Sequence, residues 1–305
     1  MSATRPQGIE IGLESGAFSL QDTAAYGRWR AVKLRRAASG DSARVIPVAR
    51  LGQLSRAEQA LLADACRQSN FALYRTPAGT APDREELCAF GARLGLRRFD
   101  HHLWAGAEGI ATIRREDGGG RGAYIPYTDR PMKWHTDGYY NPADVAVRGV
   151  IMHCVAPAAE GGANWLLDPE LVYIALRDAN PDFIAALMRP DVMTIPANRL
   201  EPGAQRPAVS GPVFSVSDAD GSLHMRYTAR TRSIHWKNDA LTREAVNFLE
   251  TLLTPPVAGA VRVRLQAGEG IVCNNVLHSR EAFSDSPGAQ RLLWRARYRD
   301  RIAGT

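Results

Sequence analysis

No stretch of about 18 consecutive apolar residues occurs in this 305-residue chain, which removes a membrane-crossing helix from the expectation. The opening segment MSATRPQGIEIGLESG lacks the hydrophobic core of a secretory signal, so the expected setting is soluble and cytoplasmic. Cysteine is scarce. Cys66, Cys88, Cys154 and Cys273 are far apart, sit among apolar neighbours and form no C-x-x-C pair. This speaks against a disulfide framework and predicts reduced, mostly buried thiols. The sequence has no internal repeat and no low-complexity tract. Acidic residues are the minority, 32 against 38 Lys and Arg, for a net charge of +6. Much of the excess falls in GRWRAVKLRR at 27–36 and in the closing RLLWRARYRDR. No nucleic-acid motif accompanies these runs, so a nucleic-acid partner is not expected, and the first run reads as a solvated or intramolecular face.

Against this background, one group of residue types points to metal chemistry. In PMKWHTDGYY, His135 and Asp137 are two apart, and on an extended strand such side chains project to one side. A second imidazole follows in GEGIVCNNVLHSREAF. There a Gly-marked turn leads into Ile271, Val272 and Cys273, and His278 comes just after this expected strand. Two imidazoles and a carboxylate suit the facial triad of a non-haem iron oxygenase, which leaves coordination positions open. The same donors suit zinc, so a zinc-dependent hydrolase is the alternative. Arg291, thirteen residues beyond His278, favours iron. A guanidinium grips a carboxylate through two parallel hydrogen bonds, as the far end of an iron-chelating 2-oxo diacid requires. In RLLWRARY, Arg291, Leu293, Arg295 and Arg297 alternate with Leu292, Trp294, Ala296 and Tyr298, and such a basic face is costly to bury unless anions meet it. His101, His102, His153, His224 and His235 are ligands by residue type alone. His153 falls in an apolar run and is expected in the core, and the pair at 101–102 is expected to face solvent.

With WHTDG at 134–138, EGGANWLLDP at 160–169, and NNVLHSR with the following RLLWR at 274–295, the chain resembles the taurine/2-oxoglutarate dioxygenase family, including its γ-butyrobetaine hydroxylase relatives. The likeness covers Val45 to Arg299. It implies an α+β fold, a double-stranded β-helix (jelly-roll) core flanked by helices, in keeping with the many short strands the sequence suggests. It implies Fe(II) held by His135, Asp137 and His278 as the catalytic centre, 2-oxoglutarate with its far carboxylate on Arg291, and O2 as oxidant. Where some relatives use a Thr to bind 2-oxoglutarate this chain reads GGAN, which makes Asn164 the expected replacement. Arg295 matches a position that contacts substrate in the taurine enzyme. The implied reaction is oxidation, by default hydroxylation, of a C–H bond in a small polar substrate, anionic or zwitterionic, with release of succinate and CO2. Beside the resemblance, alternation in MRYTARTRSIHW puts Arg226, Thr228, Arg230 and Arg232 on one face. Arg226 and Arg230, with Tyr139, are expected to contact substrate, and a solvated edge strand is the plainer reading of the arginines. Trp134, Tyr139 and Tyr140 flank the ligands as pocket walls or core aromatics. A small molecule is the expected partner, and the sequence leaves room for a homodimer.

The expected organisation is an N-terminal leader, residues 1–44, loosely docked apart from a basic helix over Gln21–Arg36, and one catalytic domain over residues 45–305. Val45–Val48 and residues 71–75 read as strands, Ser55 and Glu58 as a capping box, and Asp83 as the cap of a helix through Leu94. The stretch EDGGGRG at 116–122 is too rich in glycine for regular structure and suits a lid over the site or an ordinary hairpin tip. Residues 145–155, 261–265, 270–275 and 292–298 read as strands, and helices are expected over Pro169–Ala179, Asp182–Met188 and Glu244–Leu253. A hairpin is expected to turn at Asp220-Gly221.

Overall fold

The computed structural model describes residues 15–101, 104–118, 120–198, 205–230 and 234–305. His102 and Arg232, both named above, lie outside the described residues, as does the start of the leader. Strand alternation sorts the apolar residues of a mixed helix-and-sheet fold into layers. In Gly149–Ala156, Val150 and Cys154 face one core while Ile151 faces another; in Phe71–Arg75, Phe71 and Leu73 separate from Ala72 and Tyr74 in the same way. These strands belong to a six-stranded sheet with the order Val45–Pro47, Phe71–Arg75, Glu269–Cys273, Gly149–Ala156, Leu292–Tyr298, Ile110–Ile113. A four-stranded sheet runs Val261–Val263, Asn164–Leu167, Leu277–Arg280, Met132–His135. Their inner faces share one core, in which Leu166 meets Leu293, Ile271 and Phe71.

Each outer face is covered by helices. Arg56–Ser69 and Arg84–Arg93 pack Leu62, Cys66, Leu87 and Phe90 against the larger sheet. The first begins at a complete capping box between Ser55 and Glu58, and the second at Asp83, whose side chain accepts from Glu86 N–H. Pro169–Ala179, Pro181–Leu187 and Ala240–Leu252 cover the smaller sheet, burying Tyr173, Ile184 and Leu249 against Trp134 and Leu277. The last helix starts before the expected Glu244 because the Asp239 carboxylate caps it through Thr242. The hairpin pairs Phe214–Val216 with Leu223–Met225, a longer loop than a two-residue turn, with Gly221 at φ 68°.

The leader is not loosely docked from residue 15 onward. Thr23–Ala38 forms a helix, and Lys33, inside the basic run, is buried 2.5 Å from both Asp168 and Glu170. Burial opposes its charge, but the two carboxylates hold its pKa above the ordinary value. Trp29 and Phe18 stack edge-on against Tyr173, and Arg30 pairs with Asp178. No helix among the described residues is long and apolar enough to cross a membrane.

Candidate active site

The two histidines sit where alternation turns them inward. In Met132–His135, Trp134 packs outward under the helices and His135 points between the sheets. Leu277 and His278 repeat this on the neighbouring strand, and the two histidines are register partners with ring centroids 4.2 Å apart. Asp137 follows the strand end, where Asn275 pins its backbone. The Asp137 N–H donates to Asn275 Oδ1 at 2.8 Å, and its carbonyl accepts from Asn275 Nδ2 at 2.9 Å. Gly138 then turns the chain at φ 65°; a Cβ there would stand 2.5 Å from Val147 Cγ2, so glycine alone fits. As a result one ligand atom each from His135, Asp137 and His278 falls within 4.8 Å of the others, and all three residues are buried.

Hydrogen bonds decide which atoms are offered. His135 Nδ1 donates to the Lys133 carbonyl at 2.9 Å and His278 Nδ1 to the Val276 carbonyl at 3.0 Å. A carbonyl can only accept, so Nδ1 carries the proton and Nε2 keeps its lone pair. Burial, reinforced by His278, pushes His135 down to about 3, which keeps the ring neutral near pH 7. Asp137 Oδ1 accepts from Arg295 Nη1 at 3.0 Å, and Arg297 Nη1 lies 3.8 Å away. Burial opposes ionisation of Asp137, but the two arginines hold it well below the usual carboxylate range. Its Oδ2 is buried with no partner. An orphaned carboxylate oxygen beside two imidazoles whose Nδ1 atoms face carbonyls fits a divalent cation, and the donor set suits Fe(II) or Zn(II).

A cavity of about 1420 Å³ opens onto this group, with His135, Asp137, Arg295 and Arg297 on its inner wall. Trp104, Tyr124, Tyr127, Tyr139 and Tyr140 line it with aromatic rings, and Lys133, Arg206 and Arg230 bring cations. Of the expected substrate contacts, Tyr139, Arg230 and Arg295 reach the cavity. Arg230 Nη1 donates to the Tyr139 hydroxyl at 3.4 Å. Arg226, also expected to contact substrate, does not line it: its guanidinium donates to the carbonyls of Tyr139, Met193 and Val209, tying this wall to two strands. Arg295 is only partly free, because Nη1 already serves Asp137. The glycine-rich segment 116–122 contains the tight turn Gly120–Ala123 rather than a hairpin of strands, and Arg121 lies over the rings of Trp104 and Tyr127 beside the cavity.

Arg291 and Asn164 do not line the cavity. Arg291 is buried, and its guanidinium carbon sits 5.0 Å from the centre of the Phe283 ring. Asp285 accepts from the Arg291 backbone N–H at 2.9 Å and attracts the guanidinium, which makes no ion pair among the described residues; burial lowers Arg291 to about 10. Gly162 is so close that a Cβ there would be 3.4 Å from Arg291 Nε. Asn164 stands opposite Arg280 in register, on the same inward face as His278. Arg280, to which the sequence reading gave no role, donates to the carbonyls of Ile125, Pro126, Thr128 and Arg130 and fixes the loop before the first histidine. Asn275 and Arg297 were likewise legible only as parts of a motif and of an alternating face, and Asp100 left no signal. His153 is buried with Nδ1 3.2 Å from the Tyr74 hydroxyl, away from the ligands.

Comparison with known proteins bears on the same residues. The profile of the taurine catabolism dioxygenase TauD, TfdA family matches residues 33–297. A uridine-5'-phosphate dioxygenase from an Amycolatopsis species is 34% identical over 174 residues, covering 54% of this chain and 60% of the relative. One from a Streptomyces species is 29% identical over 184 residues, covering 58% and 65%. In both cases the match spans less than two thirds of the relative's length. Among solved structures, an asparagine oxygenase in complex with Fe(II), 2S,3S-3-hydroxyasparagine and succinate shares the fold, with a TM-score of 0.56, 14% identity, and coverage of 91% of this chain and 92% of that one. The family match takes in both histidines, the carboxylate between them and the arginine strand, and the chain belongs to the taurine catabolism dioxygenase (TauD, TfdA) family.

Proposed function

We propose that the chain is a cytoplasmic Fe(II)- and 2-oxoglutarate-dependent dioxygenase whose two facing sheets form a double-stranded β-helix, or jelly roll. The observation that carries this reading is the unpaired Asp137 Oδ2 beside two imidazoles whose Nδ1 atoms are both engaged, in a fold that also buries Arg291 without an ion pair among the described residues. Family membership supports it. His135, Asp137 and His278 would hold the iron, Arg291 the far carboxylate of 2-oxoglutarate, and Asn164 the space beside it. When bound, iron with 2-oxoglutarate supplies the activation of O2 that leaves succinate, CO2 and one oxygen atom inserted into a substrate C–H bond. The chain's own part is to orient both imidazoles through their Nδ1 hydrogen bonds, keep the carboxylate ionised and screen the centre from bulk water. A zinc hydrolase would use the same ligands but gives no role to the buried Arg291 guanidinium, which has no ion pair among the described residues.

The substrate reading follows from the cavity. At about 1420 Å³ it exceeds what a small amino acid or sulfonate fills, and it combines aromatic walls with cations. Rings stack on a planar base and Arg230 and Lys133 suit an anionic group, so a nucleoside monophosphate is the first class to test. The names of the uridine-5'-phosphate dioxygenase relatives support the same class. The test is succinate formation under air with Fe(II), ascorbate and 2-oxoglutarate, scanned over nucleoside monophosphates, small amino acids, sulfonates and betaines. Nucleotide-dependent succinate is expected. Turnover without O2, sustained by zinc alone, would overturn the oxygenase reading.

A further inference from the structure

We propose that Arg297 is a positioning residue for the metal-binding carboxylate: anchored by Asp100 and Tyr140, it holds a second positive charge against Asp137 and sets how tightly the site takes a divalent ion. The inference rests on His135, Asp137 and His278 being the metal ligands. Arg297 lies two residues beyond Arg295 on the strand Leu292–Tyr298, so both guanidinium groups rise from the same face. Its Nη1 donates to the Tyr140 hydroxyl at 2.9 Å and stands 3.8 Å from Asp137 Oδ1, while Nη2 pairs with Asp100. At 3.8 Å Arg297 acts on Asp137 through charge rather than a hydrogen bond. Arg295 already donates to that same oxygen, which turns Oδ1 toward the arginines and leaves Oδ2 for the metal.

The anchor is built on both sides. The Asp100 N–H donates to the Arg297 carbonyl at 2.8 Å, so backbone and side chain of the two residues are joined. Asp100 Oδ1 also accepts from Asn141 Nδ2 at 3.0 Å, closing the turn that leads away from Asp137. Arg297 and Asp100 are both buried, so neither charge relaxes into water. Arg295 and Arg297 thus balance Asp137 and Asp100 before any dication arrives. Removing the Arg297 cation relieves repulsion on the dication and leaves Asp100 to attract it. Removing the Asp100 anion leaves Arg297 uncompensated and repels it. A purely structural pair would weaken metal binding in both cases, whereas charge tuning moves the two in opposite directions.

The experiment titrates Co(II) alone into the purified protein, following its visible absorption, for the parent, Arg297→Met, Asp100→Asn and Arg297→Lys. Arg297→Met should bind Co(II) on the order of tenfold more tightly and Asp100→Asn on the order of tenfold more weakly, with Arg297→Lys close to the parent. If Arg297→Met and Asp100→Asn both weaken binding, or neither changes it, the proposal is wrong. Should Arg297→Met not fold, Arg297→Gln takes its place with the same expected tightening, and unchanged or weaker Co(II) binding in that variant overturns the proposal. A parent that takes up no Co(II) refutes the metal site itself, a different failure from a parent that binds and variants that do not diverge.

Discussion

Arg291 lies just before the strand Leu292–Tyr298 and Arg295 within it, four positions apart, yet their surroundings give them different tasks. Arg291 is buried with no ion pair among the described residues, against Phe283 and the glycine pair that leads to Asn164. Arg295 is also buried but is engaged with Asp137. A cation buried without an anion is costly, and the cost is recovered when an anionic ligand enters. Arg291→Ala should therefore weaken 2-oxoglutarate binding by about 2–5 kcal/mol, read by anaerobic titration of the iron-loaded protein. A 2-oxo acid with a single carboxylate has no far end to lose and should be affected far less. Equal losses for both would place the far carboxylate elsewhere. Arg295→Ala, by contrast, should disturb metal binding as well as substrate binding, because its Nη1 serves the metal carboxylate.

The helix Thr23–Ala38 shows what an element gains from partners distant in sequence. Its basic run reads as a solvated face, and most of it is exposed, but Lys33 meets Asp168 and Glu170 at the start of the helix Pro169–Ala179. Asp168 also caps that second helix and accepts from Asn70, so one carboxylate joins three segments. Lys33→Met keeps the packing stem and removes the charge, leaving two carboxylates uncompensated at a buried helix junction. We expect a loss of about 3–5 kcal/mol in urea-denaturation stability, because breaking a buried pair strands the surviving charge. A loss below about 1 kcal/mol would be the behaviour of a surface pair. Two helix starts were legible in the sequence because caps are local: Ser55 with Glu58, and Asp83, each act within three residues, whereas the cap at Asp239 went unread. The docking of the leader was not, since nothing near Lys33 in the chain announces acids 135 residues away.

At the scale of the molecule, the clustering of the candidate metal ligands was readable because their residue types and strand spacing are distinctive, and the alternation over 291–298 foretold a buried basic face. What that face meets was not readable: Asp100 reaches Arg297 across 197 positions, and only the folded chain brings them together. The packing of the two sheets on one core makes the site a shared property of both. The histidines stand on the smaller sheet and the arginines on or beside a strand of the larger, with Asp137 at the end of the strand that carries His135. Ligands that bridge the two should stabilise the whole fold by mass action, by roughly 2.7 kcal/mol at a hundredfold excess over Kd. The 2-oxoglutarate contribution should depend on metal, because in the proposed arrangement one end of the diacid would chelate the ion and the other would rest on Arg291. Thermal melts of metal-free protein should therefore shift little with 2-oxoglutarate alone, more with Mn(II) alone, and by more than the sum of the two when both are present. The excess should vanish in His278→Ala, which lacks a metal ligand, and shrink in Arg291→Ala, which lacks the far anchor. A 2-oxoglutarate shift of the same size with and without metal would mean that the diacid binds away from the His135, Asp137 and His278 centre, and the bridging arrangement would have to be abandoned.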